Sequence, residues 1–151
     1  MKDFQGYLRK GLLKKQTPNF AQIEKQLSRA RKDLSTSDLV SDKDPQWAAT
    51  IAYHSMLRAG RALLFAHGVL PADGAQHRTV VELTGRILGK EYELLMRQFE
   101  RLRRKRNVFF YDSEESVSRT ETRNAIKPAT ELIKVVGGKI HVKNPQNSFN
   151  C

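Results

Sequence analysis

From Gln46 to His67 the sequence runs as one long apolar helix, and any fold of this chain has to be built around it. Ala48, Ala52, Ser55, Ala59, Ala62 and Ala66 recur at helical spacing and form a face of small side chains. Such a face lets neighbouring helices approach closely, so the segment is expected at the centre of a bundle. Trp47, Ile51 and Phe65 lie on another face, with His54, Arg58 and Arg61 between them. Asp44-Pro45 opens the helix as a cap followed by a first-turn proline, and Gly68 closes it.

The flanking segments read the same way. Phe4 to Lys15 puts Phe4, Leu8 and Leu12 on one side of a helix. Thr17-Pro18 reads as the start of a second, whose stripe is Phe20, Ile23, Leu27, Ala30 and Leu34. Ser35 to Asp44 is polar and reads as a linker, and Leu70 to Gly74 as a turn. A helix over Gln76 to Leu88 turns Val80, Leu83, Thr84 and Ile87 inward. Asp112 to Glu115 resembles a capping box for the last helix, Pro128 is expected to kink it, and Gly137-Gly138 to end it. The expectation is an all-α protein, a four-to-five-helix up-down bundle. One domain spans residues 1–137, followed by a flexible tail over 138–151.

The helix beginning near Glu91 carries the residue that most needs an explanation. Its apolar stripe runs Tyr92, Leu95, Phe99 and Leu102, then Phe109, and the position due after Leu102 is Arg106. An unpaired guanidinium on a core-facing stripe costs several kcal/mol, so Arg106 is expected in a cleft or an interface. The same helix concentrates charge: Arg97, Arg101, Arg103, Arg104, Lys105 and Arg106 stand against Glu100. Arg97, Arg101 and Arg104 share one face, a ridge suited to phosphates or simply to water. The chain as a whole carries +11, which favours polyanionic partners such as RNA or nucleotides.

Other chemistries find little support. His54, His67, His77 and His141 lack zinc-ligand spacing and the single cysteine is Cys151, so no metal or cofactor is expected. No Gly-rich phosphate loop and no serine-nucleophile motif occurs. No run of about 18 apolar residues or apolar signal core appears, and a lone cysteine makes no intrachain disulfide, so a cytoplasmic protein with no membrane contact is expected.

Two stretches in order resemble the HEPN family (higher eukaryotes and prokaryotes nucleotide-binding). Ala52-Tyr53-His54-Ser55-Met56-Leu57-Arg58-Ala59-Gly60-Arg61-Ala62-Leu63-Leu64, then Gly68 and His77, is similar to the family's central region. The family pattern there is small-aromatic-x-x-Met, Ala-Ala-Arg-Ala-Leu-Leu, a turn, and a histidine opening the next helix. Arg106-Asn107 matches the signature arginine step. Ribonuclease members carry a histidine five residues after that arginine; this chain has Tyr111, as in non-nucleolytic members. The resemblance extends over roughly Phe20 to Val136.

The resemblance implies a homodimer that sets two copies of Arg106 around a shared cleft. It implies a nucleotide- or RNA-phosphate site at Arg106, with Asn107 orienting the phosphate or capping a helix and Tyr111 fixing the guanidinium. It also implies a minimal nucleotidyltransferase as partner, in a toxin-antitoxin-like pair. Tyrosine, with a pKa near 10, is a poor general base at neutral pH, so the chain reads as non-nucleolytic. Two alternatives stay open. One is a metal-independent ribonuclease using Arg106 with Tyr111, or with a displaced histidine such as His54 or His77. The other is a non-catalytic interaction domain in which Arg106 is a structural ion-pair partner. Arg58 reads as a contact to acidic partners or helix ends, His54 first as a core histidine, and His77 first as a helix-start contact.

Overall fold

The computed structural model describes residues 4–72, 76–111 and 117–148, with Gln76, Val108, Phe110, Tyr111, Asn147 and Ser148 described by their backbone alone. Element order is α1 (Gln5–Arg9), β1 (Leu13–Lys15), α2 (Phe20–Val40), α3 (Pro45–Ala66), β2 (Val69–Pro71), α4 (Gln76–Leu88), a 3-10 turn (Lys90–Tyr92), α5 (Glu93–Tyr111), α6 (Arg119–Lys143) and α7 (Pro145–Ser148). The fold is all-α apart from a two-stranded ribbon.

α3 is the axis of the bundle, and α2, α4, α5 and α6 all pack on it. Its ends are set locally. The Asp44 side chain accepts from the Trp47 N–H at 3.0 Å, Pro45 occupies the first turn, and Gly68 leaves the helix at φ +83°. Every member of the small-residue face is buried. Gly60 is where this closeness matters most. A Cβ there would stand 2.6 Å from Val80 Cγ1 and 2.8 Å from Thr84 Oγ1, both on α4. Those β-branched side chains are stiff in a helix, so the whole of α4 would have to move. Gly60→Ala gains up to about 1 kcal/mol of helix propensity but overpacks the contact by about 1–3 kcal/mol. The expected outcome is a net loss of stability in urea unfolding.

Several expectations from sequence are corrected. Phe4 to Lys15 is not one helix. Gly11, at φ +72°, ends α1's segment, and Leu13–Lys15 pairs antiparallel with Val69–Pro71, Leu13 opposite Pro71 and Lys15 opposite Val69. Of the expected stripe only Phe4 is buried; Leu8 and Leu12 are half-buried, and it is Leu13, on the strand, that enters the core. The cap of α2 is Asn19, which accepts from the Gln22 N–H at 3.1 Å, rather than Thr17. Most of the supposed linker is helix: α2 runs to Val40 because Ser37, fully buried, donates to the Ala48 carbonyl of α3 at 2.6 Å. Leu70 and Pro71, taken for a turn, lie in β2, whereas Asp73 and Gly74 fall outside the described residues.

The last helix differs at both ends. Asp112 to Glu115 lies outside the described residues, and the cap of α6 is Ser118, whose Oγ accepts from the Glu121 N–H at 3.1 Å. Ser118-x-x-Glu121 has the capping-box spacing, six residues beyond the expected one. α6 passes through Pro128 without a break and does not end at Gly137-Gly138. Buried Val136 and Ile140 carry it to Lys143, so the boundary drawn at Gly137 falls inside a helix. A Cβ on Gly137 would stand 2.9 Å from Arg31 Nη2, the mobile end of an exposed side chain, and 3.6 Å from Leu27 Cδ2 on α2, so a side chain there would ask only the arginine to move.

Candidate functional site

The site grows from the meeting of α3, α4 and the end of α5. Thr50, Tyr53 and His54 fall at i, i+3 and i+4 on α3 and therefore share a face. His77 lies in the first turn of α4, and Arg106, Asn107 and Phe109 in the last turns of α5. Together these seven residues line a pocket of about 210 Å³. That is below the roughly 300–1,000 Å³ typical of pockets that enclose a drug-sized molecule, so it suits a phosphate group better than a whole nucleotide.

The stripe of α5 delivers Arg106 there. Leu95, Phe99, Leu102 and Phe109 are buried, and Arg106, on the same side, is half-buried and opens into the pocket. Two side chains of α3 pin the end of α5. The Phe109 carbonyl, in the last turn and so without a partner in its own helix, accepts from Gln46 Nε2 at 3.0 Å. The Thr50 hydroxyl stands 3.1 Å from the same carbonyl and 3.0 Å from the Gln46 carbonyl. Among the described residues no carboxylate forms an ion pair with Arg106.

Tyr53 and His77 form the inner wall, with His54 at the rim. Tyr53 is buried, with its hydroxyl 2.9 Å from His77 Nδ1 and its ring edge-on to Phe99 at 6.2 Å. The His54 and His77 rings stand nearly perpendicular at 6.1 Å. Burial pushes the Tyr53 hydroxyl well above the usual tyrosine range, against the pull of Arg106 and Arg103. Burial, then Arg106, His54 and Arg61, brings His77 down to about 4. Desolvation, then Arg61 and Arg58, lowers His54, with Asp33 opposing. Both imidazoles are therefore neutral at pH 7, and the positive charge of the pocket is carried by Arg106. Among the described residues no group of His, Cys, Asp or Glu could hold a metal ion.

The low histidine pKa values fix the sign of a pH dependence. His67, like His77, is held down to about 4, by burial first and then by Lys143. The unfolded chain takes up these protons near 6.5, the folded chain only near 4. Stability is therefore full above pH 6.5, falls as the pH drops toward 4, and is not lowered further by these rings below that. Both rings are partly exposed, so the expected loss is about 1–2 kcal/mol each, less than full conversion of the shift. Urea midpoints between pH 7 and 4 measure it, and His67→Gln should remove its share.

The residues expected from sequence divide clearly. His54, His77, Arg106 and Asn107 come together in one pocket. His54 is exposed at the rim, which corrects its first reading as a core histidine; the helix face that carries it is covered only in part. Arg58 stays out of the pocket, paired with Asp33 at 3.2 Å and donating to Gln26 Oε1 at 3.0 Å. Arg97, Arg101 and Arg104 line a separate groove between α4 and α5. There Arg97 pairs with Glu93 at 2.9 Å and Arg104 with Glu100 at 3.2 Å. α5 reaches Tyr111, whose side chain lies outside the described residues. Thr50, Tyr53 and Phe109 were not anticipated as pocket residues. The signal for the first two was the i, i+3, i+4 spacing to His54.

No helix is long and apolar enough to cross a membrane among the described residues. Among curated proteins and among solved structures, none matches the chain. The family model described as HEPN domain matches residues 23–140. That match begins in α2, ends in α6 and takes in every residue of the pocket. The chain belongs to the HEPN domain family.

Proposed function

We propose that the chain binds the phosphate of a nucleotide or RNA at the Arg106 pocket and does not cleave it efficiently. The observation that carries this reading is a guanidinium on the inner stripe of α5 opening into a phosphate-sized pocket beside two neutral imidazoles and Asn107. Such a site offers one positive charge and several N–H donors, which suits an anion. Membership of the HEPN family supports a nucleotide- or RNA-related role. The working form we propose is a homodimer with two such pockets around one cleft. Its partner is a minimal nucleotidyltransferase, with which it acts as a toxin-antitoxin-like pair; support for these last points is the family resemblance alone.

A metal-independent ribonuclease is the second reading, and one observation favours it. His54 shares the pocket with Arg106, so a neutral imidazole is at hand although the family's motif histidine is replaced by Tyr111. The two readings separate in one assay: labelled single-stranded RNA incubated in EDTA with the wild type, Arg106→Ala and His54→Ala. Binding without cleavage, lost in Arg106→Ala, is the expected outcome. Cleavage lost in both variants would establish the ribonuclease instead. No binding and no cleavage by a folded protein would leave an interaction domain.

A further inference from the structure

Tyr53 is among the residues that line the pocket, and the hydrogen bond between its hydroxyl and His77 has a chemical consequence. Tyr53 is 1% exposed, and its Oη is 2.9 Å from His77 Nδ1. A hydroxyl can donate or accept, so two arrangements satisfy the distance. If Nδ1 carried the proton, Tyr53 would accept, and its own buried O–H would need a second acceptor. Among the described residues it has none: no other hydrogen bond of this hydroxyl is formed. If Tyr53 donates, both groups are satisfied at once. The ring is also uncharged, since burial and Arg106 hold it at about 4. A neutral imidazole whose Nδ1 accepts must carry its proton on Nε2.

We infer that Tyr53 locks His77 in the Nε2–H tautomer, making it a hydrogen-bond donor for a bound phosphate beside Arg106. Tyr53 is thus a positioning residue. Phe99 packs edge-on against its ring from behind. The inference assigns different work to the two histidines. His77 can stabilise negative charge but has no free basic nitrogen, so a proton acceptor in this pocket would have to be His54. The donor role rests on the phosphate reading above, whereas the tautomer does not.

The test is the pair of side-chain 15N shifts of His77 in the 15N-labelled full chain without ligand, assigned by their absence in His77→Gln. The expected result is an unprotonated Nδ1 and a protonated Nε2, with a mixture of tautomers in Tyr53→Phe. A protonated Nδ1 in the wild type, or the same single tautomer in Tyr53→Phe, would overturn the lock. Should Tyr53→Phe fail to fold, the wild-type shifts still decide. Pyrophosphate titration reads the donor role. His77→Gln keeps an N–H at the Nε2 position and should bind within about three-fold of wild type, while His77→Asn loses about ten-fold, the order of one hydrogen bond to a charged group. Equal losses in both would overturn the donor role. Failure of the wild type to bind pyrophosphate, with the Nε2–H tautomer present, would sink the phosphate reading and leave the Tyr53 lock standing.

Discussion

Replacing Arg106 by alanine is expected to weaken binding of a 5′-phosphorylated single-stranded RNA by at least about ten-fold, with helix content and melting unchanged. A hydrogen bond to a charged group contributes about 1.5–3 kcal/mol, and a guanidinium can offer a phosphate two of them. The protein itself should tolerate the loss. Arg106 is half-buried and forms no ion pair among the described residues, so its removal leaves none of their carboxylates without a partner. Arg106→Lys should recover only part of the affinity, because an ammonium restores the charge but not the two-pronged geometry. Arg101→Ala is the control: Arg101 is exposed on the other groove, and its loss should weaken binding by a small salt-dependent factor. Fluorescence anisotropy at fixed salt, with circular dichroism beside it, measures all three. Unfolding or monomerisation of Arg106→Ala with no change in RNA affinity would favour the structural ion-pair reading.

Phe99→Ala should produce the largest loss of stability, about 3–5 kcal/mol. Phe99 is fully buried on the inner stripe of α5, and its ring backs Tyr53. For a chain of this size that corresponds to a fall in melting temperature of roughly 6–20 °C. Removing the ring also frees Tyr53 to move away from His77, so affinity for the RNA probe should fall with stability rather than independently of it. Thermal unfolding and anisotropy on the same sample test both. A loss under about 1 kcal/mol would mean that α5 is not held by this stripe.

The long elements were legible because their causes are local and periodic. α3 could be read from Asp44-Pro45, the run of small residues and Gly68, and each does in the fold what its chemistry suggests. Arg106 could be read as a pocket residue because it broke an otherwise apolar stripe. What escaped depends on contacts distant in sequence. Ser35 to Asp44 is mostly polar and looks like a linker until the Ala48 carbonyl gives Ser37 a buried partner. Gly137-Gly138 looks like a helix end until Val136 and Ile140 on either side of it are seen buried in the core. Leu13–Lys15 is too short to announce itself as a strand without Val69–Pro71 opposite. In the site, His54 and His77 could be named but not placed, since they meet only through the packing of α3 against α4. Tyr53 escaped because a buried aromatic reads as core, and its hydroxyl acquires a role only once His77 stands beside it.

The most direct test of the Arg106 pocket is amide and side-chain chemical-shift mapping of the labelled chain titrated with a 5′-mononucleotide. The expected result is a saturable response concentrated at Thr50, His54, His77, Arg106 and Asn107, absent in Arg106→Ala. A response centred instead on Arg97, Arg101 and Arg104, or no saturable response at all, would contradict a phosphate site at Arg106.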